Sequence, residues 1–310
     1  MRKWSTRGKW IGALVGAGLL VVGYLAWPYG RMAYNMYFYG PPALKRFQVS
    51  PPIETVRYGS EPKQSADLRI PTGQGPFPIA VLVHGGCWDA SFGGSSDLAP
   101  LADALTKQGI ATLNIRYRVV GDAGGGWPGT LRDVGAAIDS VRGIALRYPI
   151  DTERLLVAGH SAGAHLALWS GMRSKLSPGS DVAVENPLKP KAVVAIDGPG
   201  SLADFIGVDT EVCGKPVIVP FVGGTPQQVP ARYRDATPQD HLPLGVKQYF
   251  VQGALFDLMQ PYMDRAKHAG DVTKSIRPEK GGHFRILNPK EPQGQATLAL
   301  VIEAAQGMGK

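Results

Sequence analysis

The sequence predicts an α/β protein, a mostly parallel sheet with helices on both faces, and three observations carry that expectation. From Glu54 onward short apolar runs alternate with stretches of helical spacing. Two of the runs, Ile79–Val83 (IAVLV) and Arg154–Ala158 (RLLVA), read as buried strands. Each runs into a glycine-containing turn, HGGCW after the first and GHSAG after the second, and helical spacing follows.

Taken in order, Ile53–Tyr58 and Ala66–Ile70 read as an opening pair of strands, and the Pro/Gly stretch PTGQGPFP leads to the strand Ile79–Val83. Leu98–Gln108 has helical spacing, Ala111–Tyr117 is the next strand, and a glycine-rich loop over 121–129 precedes a helix predicted over Thr130–Arg147. After Arg154–Ala158 a helix is expected over Ala162–Arg173, then strands at Lys191–Ile196 and Gln248–Val251. Residues 197–245 are rich in Pro and Gly and are expected to be irregular and to cover part of a site, as a lid would. A helix over Pro261–Ala269, a short strand Thr273–Ile276 and a helix Pro292–Ala305 close the chain.

The formal charge of +8 raises nucleic acid as a partner, but its location argues against one. Residues 1–53 contain seven Lys or Arg and no acid, which leaves the rest close to neutral, without the basic stripe that phosphate neutralisation needs. No His/Cys cluster has zinc spacing, so no metal is expected. Cys87 and Cys213 are expected as two separate buried thiols, a bridge being open if the domain is exported.

Trp10–Trp27 is an apolar run of 18 residues, which as a helix would span about 27 Å. Four Lys/Arg precede it within nine residues and Arg31 alone follows closely, so the positive-inside bias leaves residue 1 cytoplasmic and exports the body. Cleavage after Ala26 or Ala33 would put Tyr24 or Arg31 at the −3 position, so an uncleaved anchor is preferred to a signal peptide. The expected organisation is an anchor or signal helix over 1–33, a linker over 34–53 and a catalytic domain over 54–310.

A serine hydroxyl needs a base, a group to orient that base, and donors for an oxyanion before it can transfer acyl groups. In Gly159-His160-Ser161-Ala162-Gly163 the strand-turn-helix setting lifts Ser161 above the sheet and aims the amide of Ala162 at an oxyanion. G-x-S-x-G alone would arise in roughly one chain in four of this composition; His84-Gly85-Gly86-Cys87-Trp88, at the end of another strand, is far rarer and supplies the amides of Gly85 and Gly86. Trp88 would brace that loop or line an acyl pocket, and His160 is a second pocket candidate beside its structural role in the turn.

Acid and base should follow the serine at later strand ends. Asp257, beyond the QYFV strand, and His283, in Gly281-Gly282-His283-Phe284, take these places ahead of Asp264 and Asp271 and of His84, His165, His241 and His268. These motifs, with Arg116-Tyr117-Arg118, Trp127-Pro128 and Tyr233-Arg234-Asp235-Ala236-Thr237-Pro238, resemble the α/β-hydrolase superfamily over residues 54–305, in its kynurenine formamidase-like and hormone-sensitive-lipase-like carboxylesterase branch. The resemblance implies an eight-stranded sheet, a Ser161-His283-Asp257 triad, an oxyanion hole from Gly85, Gly86 and Ala162, no cofactor, and a small-molecule ester substrate. Arylformamidase activity, a lipase acting at membrane surfaces and a non-catalytic binding module are the rivals.

Overall fold

A computed structural model describes Phe38 and residues 40–309. The chain divides into two compact units, residues 1–46 and 47–310. Of the first, the described part holds a short helix, Pro41–Leu44, with proline at its N-terminus. The anchor expected over residues 10–27 lies outside the described residues; among those described, no helix is long and apolar enough to cross a membrane.

The second unit is built on one sheet of eight strands: β1 (Glu54–Arg57), β2 (Ser65–Arg69), β3 (Phe77–Val83), β4 (Ala111–Ile115), β5 (Ile150–His160), β6 (Ala192–Ile196), β7 (Lys247–Val251) and β8 (Thr273–Ile276). They lie in the order β1-β2-β4-β3-β5-β6-β7-β8. β1 and β2 pair antiparallel with each other, as do β2 and β4, and every other neighbouring pair is parallel. The continuous apolar runs fall at the centre: Ile79 to Val83 and Leu155 to Val157 are fully buried, as strands covered on both faces require.

The helices Gly129–Asp139 and Ala162–Met172 pack together on one side of the sheet, and Ala99–Lys107 packs with Pro292–Gln306 against it elsewhere. Ala162–Met172 (AGAHLALWSGM) is apolar all round and wholly buried, the pattern of a helix inside a domain core. It lies close to β3, because a Cβ on Gly163 would stand 2.0 Å from the carbonyl oxygen of Val83. Only glycine lets helix and strand approach so far.

Three expectations are corrected. The helix predicted over Thr130–Arg147 is two, Gly129–Asp139 and Val141–Ala145, with Ser140 between them. Residues 197–245 are not irregular but carry the short helices Val208–Cys213, Ile218–Val222 and Pro230–Ala236. The helix expected to begin at Pro261 begins five residues earlier and runs Phe256–His268 with the proline inside it, so Asp257 belongs to a helix and not to a strand-end loop.

The chain passes from β3 outward to β4 and then returns to the other side of β3 as β5. Strand order therefore reverses between β3 and β5, and ligands bind outside the carboxyl ends of strands at such a reversal. Val83 pairs with Gly159 in register, so the HGGCW turn and the serine turn leave the sheet side by side.

Candidate active site

Ser161 sits between the end of β5 and the helix Ala162–Met172 with φ 56° and ψ −120°. A non-glycine residue at positive φ is strained, and such strain persists only where the surroundings over-determine it. Here the Ser161 amide donates to the carbonyl of Ile196 at 2.9 Å, and its own carbonyl accepts from Ala164 at 2.9 Å. Gly85 lies against the same turn: a Cβ there would come 2.8 Å from the carbonyl oxygen of His160 and 3.0 Å from Ser161 Cβ. The structure thus brings Ser161, Ala162 and the Gly85-Gly86 turn together as the sequence predicts.

His283, seven residues beyond β8, is brought to the same place by the residue next to the serine. His160 Nε2 donates to the His283 carbonyl at 2.8 Å, and the two rings lie 4.5 Å apart. Burial first, and the neighbouring His283 second, push the His160 ring down to about 3, so it is neutral and can hold one donor on Nε2. The pocket role expected for His160 gives way to a positional one: it ties the serine turn to the histidine loop.

The partner of His283 is not Asp257. His283 Nδ1 lies 2.7 Å from Asp197 Oδ2, and Asp197 is the first residue beyond β6, fully buried with φ 49°. Its carboxylate also accepts the backbone amides of Gly253, Ala254 and Leu255 at 2.8 to 2.9 Å. Burial pushes the carboxyl up, but the hydrogen bond and charge of His283, with the amides of Leu255 and Gly253, more than offset it and hold the group below its ordinary range. Asp257 lies exposed in the first turn of Phe256–His268. The first four residues past β7, Gln252 to Leu255, include no carboxylate, and that strand end supplies amides instead of the acid.

The signal for Asp197 was present in the sequence: it follows the run KAVVAI directly, as Ser161 follows its own strand. Sequence reasoning gave it to the irregular segment, whereas β6 lies beside β5 in the sheet.

Trp88 takes the bracing role. It is 2% exposed, stacked on Phe221 with centroids 5.3 Å apart and edge-on to His165 at 5.5 Å. His165 is the packed helix residue expected, with Nε2 donating to the Ala236 carbonyl at 2.8 Å. His84 stacks on Tyr117, whose hydroxyl donates to the His84 carbonyl at 2.5 Å. His241 is half-buried and His268 exposed, each bonded to a backbone carbonyl. Cys87 and Cys213, expected apart, are joined in a disulfide; residues 126 positions apart are brought together because the arc 207–222 folds over the HGGCW turn.

The sheet order with its reversal, the strained serine turn and the buried Asp-His pair at the strand ends define an α/β-hydrolase. Residues 66–251 match the BD-FAE family model, and the chain belongs to that family. It is 33% identical over 154 residues to Esterase LipC of Mycobacterium tuberculosis, a match covering 46% of this chain and 36% of that protein. It is 32% identical over 130 residues to Kynurenine formamidase avaC of Aspergillus versicolor, covering 38% of this chain and 42% of that one. The matched region thus spans well under half the length of either relative. Among solved structures, a truncated carbohydrate esterase from gut microbiota superposes with a TM-score of 0.67 at 20% identity, over 83% of this chain and 100% of that one; this likeness carries the fold.

Proposed function

We propose that the protein is a serine hydrolase of carboxylic esters working through an acyl-enzyme. The observation that carries the reading is the buried Asp197 carboxylate on Nδ1 of His283, beside a serine turn bonded to the same histidine. In this reading Ser161 Oγ attacks the ester carbonyl while His283 Nε2 takes its proton. Asp197 fixes the Nδ1–H tautomer and stabilises the imidazolium that forms. The amides of Gly85, Gly86 and Ala162 receive the charge that develops on the carbonyl oxygen. His283 then protonates the leaving alcohol, and water enters by the reverse route to release the acid. The similarity to LipC supports an ester as substrate, and the similarity to a kynurenine formamidase keeps formamides as the second reading.

Ser161→Ala should lower turnover of an aryl acetate by at least about a thousandfold and abolish labelling by a fluorophosphonate, with the circular dichroism spectrum unchanged. Full turnover in the purified variant would remove Ser161 from the mechanism. Comparing aryl esters with N-formyl anilines on the wild type separates the two substrate readings.

The location proposed is a single-pass anchor with the catalytic domain on the exported side. Two features support it: the basic-then-apolar order of residues 1–27 and the Cys87–Cys213 disulfide, a bond that persists in oxidising compartments. The full-length chain should sediment with membranes and resist extraction by carbonate, and a chain starting at residue 40 should not; recovery of the full chain in the soluble fraction would contradict the anchor.

A further inference from the structure

The turn that would carry the oxyanion donors is conformationally expensive. Gly86, Cys87 and Trp88 are consecutive residues at positive φ, 115°, 53° and 53°, and for the two that bear side chains this region is disfavoured. The turn's own backbone bonds are few: Asp89 donates to the Gly86 carbonyl, and Trp88 and Ala90 bond across to Val120. Three further links come from one segment far along the chain. Cys87 is bonded to Cys213, Asp89 pairs with Lys215 at 2.9 Å, and Trp88 stacks on the fully buried Phe221.

That segment is itself held rigid. The buried Asp209 carboxylate accepts the amides of Gly207, Val217 and Ile218 at 2.8 to 3.0 Å, closing the arc on itself. Phe221 is fixed a second time, its carbonyl accepting the Trp127 amide at 2.8 Å. Three successive residues of the turn are thus each gripped by a different kind of contact, covalent, aromatic and ionic, from one stiffened arc. The covalent link is the one of the three that thermal motion cannot open, and its removal frees the turn.

We propose that the Cys87–Cys213 disulfide, with the Trp88–Phe221 and Asp89–Lys215 contacts, is a positioning clamp that holds the Gly85-Gly86 amides in the geometry that stabilises the transition state. The clamp rests on the hydrolase reading above. It acts through the oxyanion turn and touches no substrate, so its loss lowers kcat and leaves KM nearly unchanged, since ground-state binding does not use the oxyanion donors.

The test uses the full-length protein reduced under native conditions with a phosphine, with the two thiols counted by a chromogenic disulfide reagent and folding followed by near-UV circular dichroism. Aryl acetate kinetics are measured before reduction, after it, and after reoxidation. Inhibition by an aryl trifluoromethyl ketone, whose serine adduct carries an oxyanion, is measured alongside. The clamp predicts that kcat falls tenfold or more, KM stays within twofold, the ketone weakens by the same factor as kcat, and reoxidation restores all three. Cys213→Ser should reproduce the reduced enzyme and no longer respond to the phosphine. Two free thiols with unchanged kcat and unchanged ketone affinity overturn the clamp. If reduction or Cys213→Ser abolishes the near-UV spectrum, Phe221→Leu in the oxidised protein decides. A threefold or greater loss of kcat at constant KM upholds the clamp, and unchanged kcat overturns it. Absence of turnover and of Ser161 labelling in the oxidised wild type is a different failure, that of the hydrolase reading itself.

Discussion

Asp197 is where residue chemistry and sequence position part company. A carboxylate that orients a histidine must be desolvated enough to act and hydrogen-bonded enough to stay ionised. Asp197 meets both conditions, fully buried with three backbone amides and His283 Nδ1 on its oxygens. Asp257 meets neither, being exposed on a helix. Asp197→Asn should therefore lower kcat by about 10⁴, the size of effect seen when an orienting aspartate is replaced by its amide and the wrong histidine tautomer results, with KM changed little. Asp257→Asn should leave kcat/KM within twofold. Steady-state kinetics on one aryl ester checks both, and the reverse ranking would restore Asp257 as the acid. Ser161, His283 and the two glycine turns were legible because each sits in a local pattern whose geometry follows from neighbouring residues. Asp197 was not, because its pairing with His283 joins residues 86 positions apart and depends on which strand end is short of a carboxylate.

Elements were legible where a pattern was strong and one-sided. The central strands appear where apolar runs predicted them, with β5 longer at both ends, Ile150–His160 against the expected Arg154–Ala158. A strand that enters the core from an exposed edge has no apolar signal over its first residues, and Asp151, Thr152 and Glu153 bear this out. The misplaced start of Phe256–His268 has a related cause. Proline favours a helix's first turn, so Pro261 reads as a beginning, yet tertiary packing of Met259, Tyr262 and Met263 extends the helix before it. The arc 207–222 was least legible of all. Its helices are too short to show periodicity, and what orders them is Asp209 and a disulfide to residue 87, neither of which leaves a local trace.

Across the whole molecule the three buried histidines outside the Asp197–His283 pair set how stability depends on pH. His84, His160 and His165 are all buried near the carboxyl ends of the strands. Burial pushes His84 and His165 down to about 4; burial and then the nearby His283 push His160 to about 3. In the unfolded chain each ring takes up its proton near pH 6.5. The folded form thus binds fewer protons than the unfolded form between about 6.5 and 4, and stability falls as pH drops through that window. Each histidine contributes up to about 1.4 kcal/mol per pH unit, and three together about 4 at the steepest point. Asp197 and Asp209, both held below the ordinary carboxylate range, act in the same direction, their stabilisation being lost only at still lower pH. The midpoint of urea unfolding should accordingly fall steeply from pH 7 to pH 5, with a net uptake of two to three protons on unfolding by linkage. His165→Gln, which keeps a donor for the Ala236 carbonyl, should lower the slope by about one proton. A midpoint that does not change over that range would mean that these rings are charged in the folded protein, which their burial beneath the serine turn and the HGGCW turn does not permit.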